Sequence, residues 1–339
     1  MRLANLMAGA KMGGAERFFE RLSLALPRAG VEVLPVIRRD AERAARLAAL
    51  KPVQLGFGGP LDLLTRPRLR RVLREWRPDV VMAWMNRAAR HAPAGDWVLV
   101  GRLGGYYDLR HYRRCDHLVA NTHDLVRWIV SQGWPRERVH HLPNFATDYA
   151  GAAPASLPGN PPRLLGLGRL HRNKGFDVLI RAMALLPDAT LVIAGEGPER
   201  AALEALTREC GVEGRVHLPG WRDDVGALLA ASDVFVSSSR HEPLGNMVLE
   251  AWGAGRPVVA AAAQGPSELI RDGETGILVP IESPEALARG IAEVLASPAR
   301  AAALAAAGRA AFEADHAEAP VLSLWRDLLH KVAPMAGRS

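Results

Sequence analysis

Residues 150–162 read Ala150-Gly151-Ala152-Ala153-Pro154-Ala155-Ser156-Leu157-Pro158-Gly159-Asn160-Pro161-Pro162. The stretch shows neither a strand nor a helix period, and its four prolines suit neither a helix interior nor a central strand, because each lacks a donor and fixes φ. It interrupts an otherwise regular chain. Upstream, apolar runs predict strands at Arg2–Met7, Glu32–Ile37, Asp79–Trp84, Trp97–Val100, His117–Ala120 and Val139–Leu142. Amphipathic helices are predicted over Gly14–Ala29 and Leu61–Trp76. Downstream the alternation restarts, with strands at Arg163–Leu167, Thr190–Ala194, Arg215–Leu218, Asp233–Ser237, Pro257–Ala260 and Gly276–Val279 and helices beginning near Lys174, Glu199, Asp223, Asn246 and Pro284. The order is that of an α/β protein with two doubly wound, Rossmann-like domains in tandem. The expected organisation is a first domain over residues 1–146, a linker and hinge over 147–162, and a second domain over 163–318. A last helix, 319–332, is expected to pack back on the first domain. Ligands of such sheets bind beyond the carboxyl ends of the strands, so two such domains are expected to face each other across a cleft.

At 339 residues the chain exceeds what one core usually serves, and 49% hydrophobic with 23% charged residues excludes disordered and fibrous classes. No uncharged apolar run reaches the roughly 18 residues of a membrane span, and Met1-Arg2-Leu3 leads into a short strand, unlike a signal peptide. A cytoplasmic protein is expected. Cys115 and Cys210 lack partners at disulfide or metal spacing and read as buried reduced thiols. The net charge of +7 points to an anionic partner. Its excess is local: eight arginines stand against three acids between Leu61 and Arg90, and Arg110, Arg113 and Arg114 follow among Tyr106, Tyr107 and Tyr112. An anionic membrane surface, met on the inner face through Arg66–Arg77, fits this run; a solvated basic face is the alternative. Nucleic acid is not expected, since no helix-turn-helix, zinc or RNA-recognition pattern accompanies the charge.

Three strand-to-helix turns carry candidate chemistry. Ala8-Gly9-Ala10-Lys11-Met12-Gly13-Gly14-Ala15-Glu16-Arg17 sets a glycine pair at a helix start, where backbone amides can approach an anion. Its spacing is neither the dinucleotide fingerprint nor the P-loop, although Asp40 stands after the second strand as a dehydrogenase would need; a tight turn without ligand is the other reading. Gly166-Leu167-Gly168-Arg169-Leu170-His171-Arg172-Asn173-Lys174-Gly175 ends a strand with one cation and begins a helix with another, so that both can converge on a pyrophosphate; a solvated basic loop is the alternative. Ser237-Ser238-Ser239-Arg240-His241-Glu242-Pro243-Leu244-Gly245-Asn246-Met247-Val248-Leu249-Glu250 presents Glu242 on a loop and Glu250 one turn into a helix. The amides of Leu244, Gly245 and Asn246 are expected as unpaired donors at that helix start.

Glu242-x7-Glu250, Gly-Arg-Leu-x3-Lys-Gly at 168–175, Gly-Gly-Ala-Glu-Arg at 13–17, Gly195-Glu196-Gly197-Pro198 and Pro143-Asn144 occur in one order. Together they resemble the family-4 retaining glycosyltransferases of GT-B fold, over almost the whole chain and most strongly across 163–280. The resemblance implies that Arg169 and Lys174 hold the donor diphosphate in place of a metal, so neither metal nor cofactor is required. It implies that Glu250 binds the donor ribose and that Glu242 contacts the transferred sugar, as nucleophile or as electrostatic support. Gly245 and Asn246 would meet sugar and phosphate, Gly13 and Gly14 would close over the donor, and Pro219-Gly220-Trp221 would lie near the base. Where many family members carry a histidine, this chain reads Arg102-Leu103-Gly104-Gly105-Tyr106-Tyr107-Asp108, which leaves the acceptor-side group open among Tyr106, Tyr107, His111 and Asn144.

The implied reaction is transfer of a hexosyl unit from a nucleoside-diphosphate sugar, UDP-linked ahead of GDP-linked, to a saccharide or glycolipid of lipopolysaccharide or cell-envelope synthesis. Double displacement and front-face attack both remain open. The rivals are a sugar-nucleotide epimerase of the same form, which needs no acceptor, and a non-catalytic nucleotide-sugar-binding protein, which would tolerate loss of Glu242.

Overall fold

A computed structural model of the chain describes residues 1–9, 13–59 and 62–333. It divides into two units, Met1–Asn144 with the segment from Ala319 onward, and Phe145–Glu318. The first holds strands β1 (Arg2–Met7), β2 (Glu32–Arg38), β3 (Val53–Leu55), β4 (Val80–Trp84), β5 (Val98–Leu103), β6 (His117–Ala120) and β7 (Val139–His141). The second holds β8 (Arg163–Leu167), β9 (Thr190–Ala194), β10 (Val216–Gly220), β11 (Val234–Ser237), β12 (Val258–Ala261) and β13 (Ile277–Val279). All the strand pairs are parallel, in the orders β3-β2-β1-β4-β5-β6-β7 and β10-β9-β8-β11-β12-β13. Helices cover both faces, so central strands are largely apolar: β4 and β9 are buried at every position, with Thr190 the polar residue among them. In each sheet the order reverses beside the first strand, between β1 and β4 and between β8 and β11. Neighbouring strand ends there send their chains to opposite faces and leave a crevice.

Segment 147–162, expected as a linker and hinge, belongs to the second unit. Its backbone is paired with that unit, Tyr149 N–H to the Gly253 carbonyl at 3.2 Å and Ala155 N–H to that of Ala227 at 2.9 Å. Arg309 binds the Asp148 carboxylate at 2.6 and 2.8 Å, and Tyr149, Ala155 and Leu157 pack against the core. Prolines deny the segment a regular element, but tertiary partners hold it.

The helix expected from Leu61, which lies outside the described residues, is observed over Thr65–Trp76. Asp62 accepts the amides of Leu64 at 3.2 Å and Thr65 at 2.9 Å and so sets its start. Leu69 and Leu73 are buried, and Arg66, Arg68, Arg70, Arg74 and Arg77 are exposed. Asp40 is likewise a cap, accepting from Arg43 N–H at 3.0 Å. Near the C-terminus Ser283-Pro284 and Ser297-Pro298 each start a helix, the serine hydroxyl accepting an amide at 3.2 Å and contributing about 1 kcal/mol. The helix Glu318–Val332 buries Val321, Trp325, Leu328 and Leu329. Its Lys331 lies near the paired His117 and His140, where burial first, with His117, Lys331 and Arg136 adding to it, holds His140 down at about 4. Cys115 is buried, its thiol pushed up to about 12 by burial, whereas Cys210 is only partly buried; both are free. Among the described residues no single helix is long and apolar enough to cross a membrane.

Candidate functional site

The candidates of the second unit gather at the carboxyl ends of β8, β9, β10 and β11, around the switch point. Gly168 leaves β8 at φ +140°, and a Cβ there would stand 3.1 Å from Cε of Lys174. A Cβ on Gly195 would stand 1.8 Å from the Gly168 carbonyl oxygen, and one on Gly197 2.2 Å from that of Leu170. Two strand-end loops thus lie backbone on backbone, joined by Gly168 N–H to Ala194 O at 3.1 Å and Leu170 N–H to Glu196 O at 2.9 Å. Pro219 and Gly220 close β10, and the Gly220 carbonyl accepts from Gly195 N–H at 2.9 Å. Trp221 follows, 48% exposed, its indole N–H donating to Asp223 at 2.9 Å.

Gly175, at φ +61°, turns the chain into the helix Phe176–Met183, and a Cβ there would meet the Ser238 carbonyl oxygen at 2.1 Å. This close approach brings the loop after β11 onto Lys174: the Ser238 hydroxyl donates to the Lys174 carbonyl at 3.0 Å and Arg240 N–H to that of Asn173 at 2.8 Å. The Arg240 guanidinium then grips both Asp177 oxygens at 2.7 Å and Glu282 at 2.7 Å. Its hydrogen bonds hold the Asp177 carboxyl below the usual range.

The outcome is an ion pair between Lys174 and Glu242, 68 residues apart in sequence, with side chains 24% and 16% exposed. The second Glu242 oxygen accepts Gly245 N–H at 3.3 Å. Gly245, at φ +86°, is the N-cap of the helix Asn246–Gly253. The amide expected to be unpaired is therefore taken by a carboxylate, which the positive end of the helix dipole favours. Leu244 is buried beneath the turn, and Glu250 is half-buried one turn into the helix. Lys174, Ser238, Glu242, Gly245 and Met247 line one narrow pocket. Arg169 is exposed and meets no carboxylate among the described residues, so the two cations do not share an anion here. The pocket offers an ammonium, a carboxylate and a helix start in a partly shielded setting, a set suited to exchanging the Glu242 carboxylate for an incoming anion.

In the first unit, Gly13 caps the helix Gly14–Ala25, and residues 10–12 of the same turn lie outside the described residues. Glu16 folds back under the turn, since a Cβ on Gly9 or Gly13 would stand 2.1 or 2.3 Å from its carboxylate oxygens. Tyr107 and His111 line a cavity of about 490 Å³ beside the ends of β1, β2 and β4. Tyr106 turns to other partners, with its hydroxyl on Asp124 and its ring edge-to-face with Trp128 at 5.3 Å. Asn144 is buried and accepts from Arg102 at 2.5 Å. Arg102 is itself buried, stacked 4.7 Å from Trp84 and pushed down to about 10 by burial, so Asn144 serves the packing of that cation. Arg38, Arg87 and Arg90 also line the cavity without any motif around them. What marks them is position: Arg38 ends β2, and Arg87 and Arg90 follow the end of β4.

Two family models match the chain, Glycosyltransferase Family 4 over residues 12–147 and Glycosyl transferases group 1 over residues 152–311. The lipopolysaccharide core biosynthesis glycosyltransferase LpsE of Rhizobium meliloti is 39% identical over 299 residues, which is 84% of this chain and 86% of that protein. The chain is a family-4 glycosyltransferase. A second protein of that organism, the lipopolysaccharide core biosynthesis glycosyltransferase LpsD, is 35% identical to this glycosyltransferase over 98% of both chains. Its fold is GT-B: the crystal structure of Anabaena Alr3699/HepE in complex with UDP matches it with a TM-score of 0.84 at 23% identity, over 98% of this chain and 100% of that one.

Proposed function

We propose that this glycosyltransferase moves a hexosyl unit from a nucleoside-diphosphate sugar, UDP-linked ahead of GDP-linked, to a saccharide or glycolipid of lipopolysaccharide core synthesis, with retention and without a metal. The observation that carries the reading is the Lys174–Glu242–Gly245 arrangement beside the open arginine Arg169. An arriving diphosphate replaces Glu242 as the anion of Lys174, and Arg169 closes on its other side. As the glycosidic bond breaks, negative charge grows on the phosphate oxygen, and both cations meet it at the moment it develops. Glu242, released from Lys174, is left facing the sugar, and Glu250 accepts the ribose hydroxyls. The names of the two Rhizobium relatives and the UDP held by the Anabaena protein support this reading. Its test is calorimetry of UDP, GDP and ADP in the absence of metal, with wild type and Glu250→Ala. UDP is expected to bind best and to weaken about tenfold or more in the variant; no binding of any of the three would sink the donor assignment.

The acceptor is met at a lipid surface. Leu63 and Leu64 are 80% and 63% exposed just before the basic helix Thr65–Trp76, and Arg66 lies near both Arg70 and Arg114. Apolar side chains beside a cationic face suit anionic headgroups, with each arginine contributing about 1 kcal/mol. At low salt the protein is expected to sediment with phosphatidylglycerol vesicles and not with phosphatidylcholine. Equal sedimentation with the two would remove the membrane from the reading.

A further inference from the structure

The cavity of about 490 Å³ lies wholly within the first unit, at the crevice where the order of its sheet reverses between β1 and β4. Its wall is cationic. Arg38 enters from the end of β2, Arg87 and Arg90 from the helix Met85–His91 that follows β4, and Tyr107 and His111 from the chain after β5. No carboxylate is among the described residues that line it. Among the described residues Arg38 and Arg87 are exposed and meet no acid, and Arg90 reaches the Gly58 carbonyl at 3.4 Å. Buried at the same wall, Asn86 Oδ1 has no hydrogen-bond partner among the described residues. The helix carrying Asn86, Arg87 and Arg90 starts at Met85 with φ +63°, a left-handed conformation unfavourable to any residue but glycine. The chain thus bends sharply out of β4, and the bend turns these three side chains toward the crevice.

Three guanidinium groups around one cavity repel one another until an anion enters, and the arginine fork matches carboxylate and phosphate oxygens with paired hydrogen bonds. The volume falls within the roughly 300–1,000 Å³ of small-molecule sites, which suits a short saccharide. We propose that this cavity is the acceptor site and that the acceptor is an acidic saccharide, its carboxylate or phosphate held between Arg38, Arg87 and Arg90. The assignment rests on the glycosyltransferase reading above and adds the chemical class of the second substrate. Tyr107, kept as a phenol by burial, remains for the sugar hydroxyls. The cationic wall thereby rejects neutral sugars that would leave its arginines without an anion.

The test is ligand-observed saturation-transfer NMR on the full chain with the donor site filled by excess UDP. Three probes are compared: glucose 6-phosphate, methyl glucuronide and neutral methyl glucoside. Saturation is expected to reach at least one acidic sugar and not the neutral one, and which acid responds tells phosphate from carboxylate. Arg38→Gln/Arg87→Gln is expected to weaken that sugar about tenfold or more, whereas Arg289→Gln, at an exposed arginine of the other unit, leaves it unchanged. Equal transfer to methyl glucoside, no transfer to either acidic sugar, or a loss in Arg289→Gln equal to that in the Arg38→Gln/Arg87→Gln variant would overturn the assignment. Acidic-sugar binding that persists in a protein unable to bind UDP would support the cavity and count against the donor reading, so the two fail separately.

Discussion

Lys174→Met is expected to lower kcat/KM for sugar transfer by about a thousandfold, with the fold retained. Lys174 is the one candidate cation already drawn into the pocket, where it is paired with Glu242 and only 24% exposed. In such a setting a charge acts through less water than at the surface, so its contribution to a departing diphosphate is larger than that of exposed Arg169. The substitution also leaves the Glu242 carboxylate with the Gly245 amide as its one partner among the described residues, and that negative charge then opposes the incoming diphosphate. UDP affinity should therefore fall as well as turnover. Steady-state kinetics and UDP calorimetry, each with Lys174→Met, Glu242→Gln and the double variant, separate these effects. If Lys174 served only to hold Glu242, then Glu242→Gln would lose as much turnover as Lys174→Met and UDP affinity would stay at its wild-type value in both. Wild-type turnover in Lys174→Met would remove the lysine from the chemistry.

Gly195→Ala is expected to cost about 3 kcal/mol of stability or more, beyond the usual range for a single added methyl group. The added Cβ would stand 1.8 Å from the Gly168 carbonyl oxygen, and both partners are backbone, so no side chain can swing aside. Relief requires separating the loops after β8 and β9, which breaks the Gly168-to-Ala194 hydrogen bond and carries Arg169 away. Gly255→Ala is the matching control, since Gly255 has φ +64° with nothing within 4 Å of a new Cβ. There only the left-handed backbone opposes alanine, by about 1 kcal/mol. Urea unfolding of the two variants checks the contrast; a cost at Gly195 no larger than at Gly255 would contradict the backbone contact.

The strands β1, β4, β8 and β9 were legible in the sequence because a parallel strand covered on both faces is a mostly apolar run, and the run is local information. β3, at three residues, is too short to show a period. The proline-rich segment 147–162 showed what it could not be, a helix or a strand, but its role came from Gly253, Ala227 and Arg309, all distant in sequence. The same division runs through the site. Residue type and motif singled out Lys174, Glu242 and Gly245, since cations at a strand end, an acid on a loop and a glycine at a helix start are local signals. That Lys174 and Glu242 form a pair, and that Glu242 occupies the Gly245 amide, follows from β8 and β11 being neighbours at the switch point. Tyr106, Asn144 and His111 stood alike as polar groups in one region of the chain, yet packing turned Tyr106 onto Trp128, buried Asn144 against Arg102 and left His111 in the cavity. The sequence by itself determined the α/β class, the doubling of the sheet and the chemistry available at each strand end. Only the tertiary structure decided which of those ends meet, because a parallel sheet joins strands through long crossovers and its crevices are lined by residues that share no local pattern.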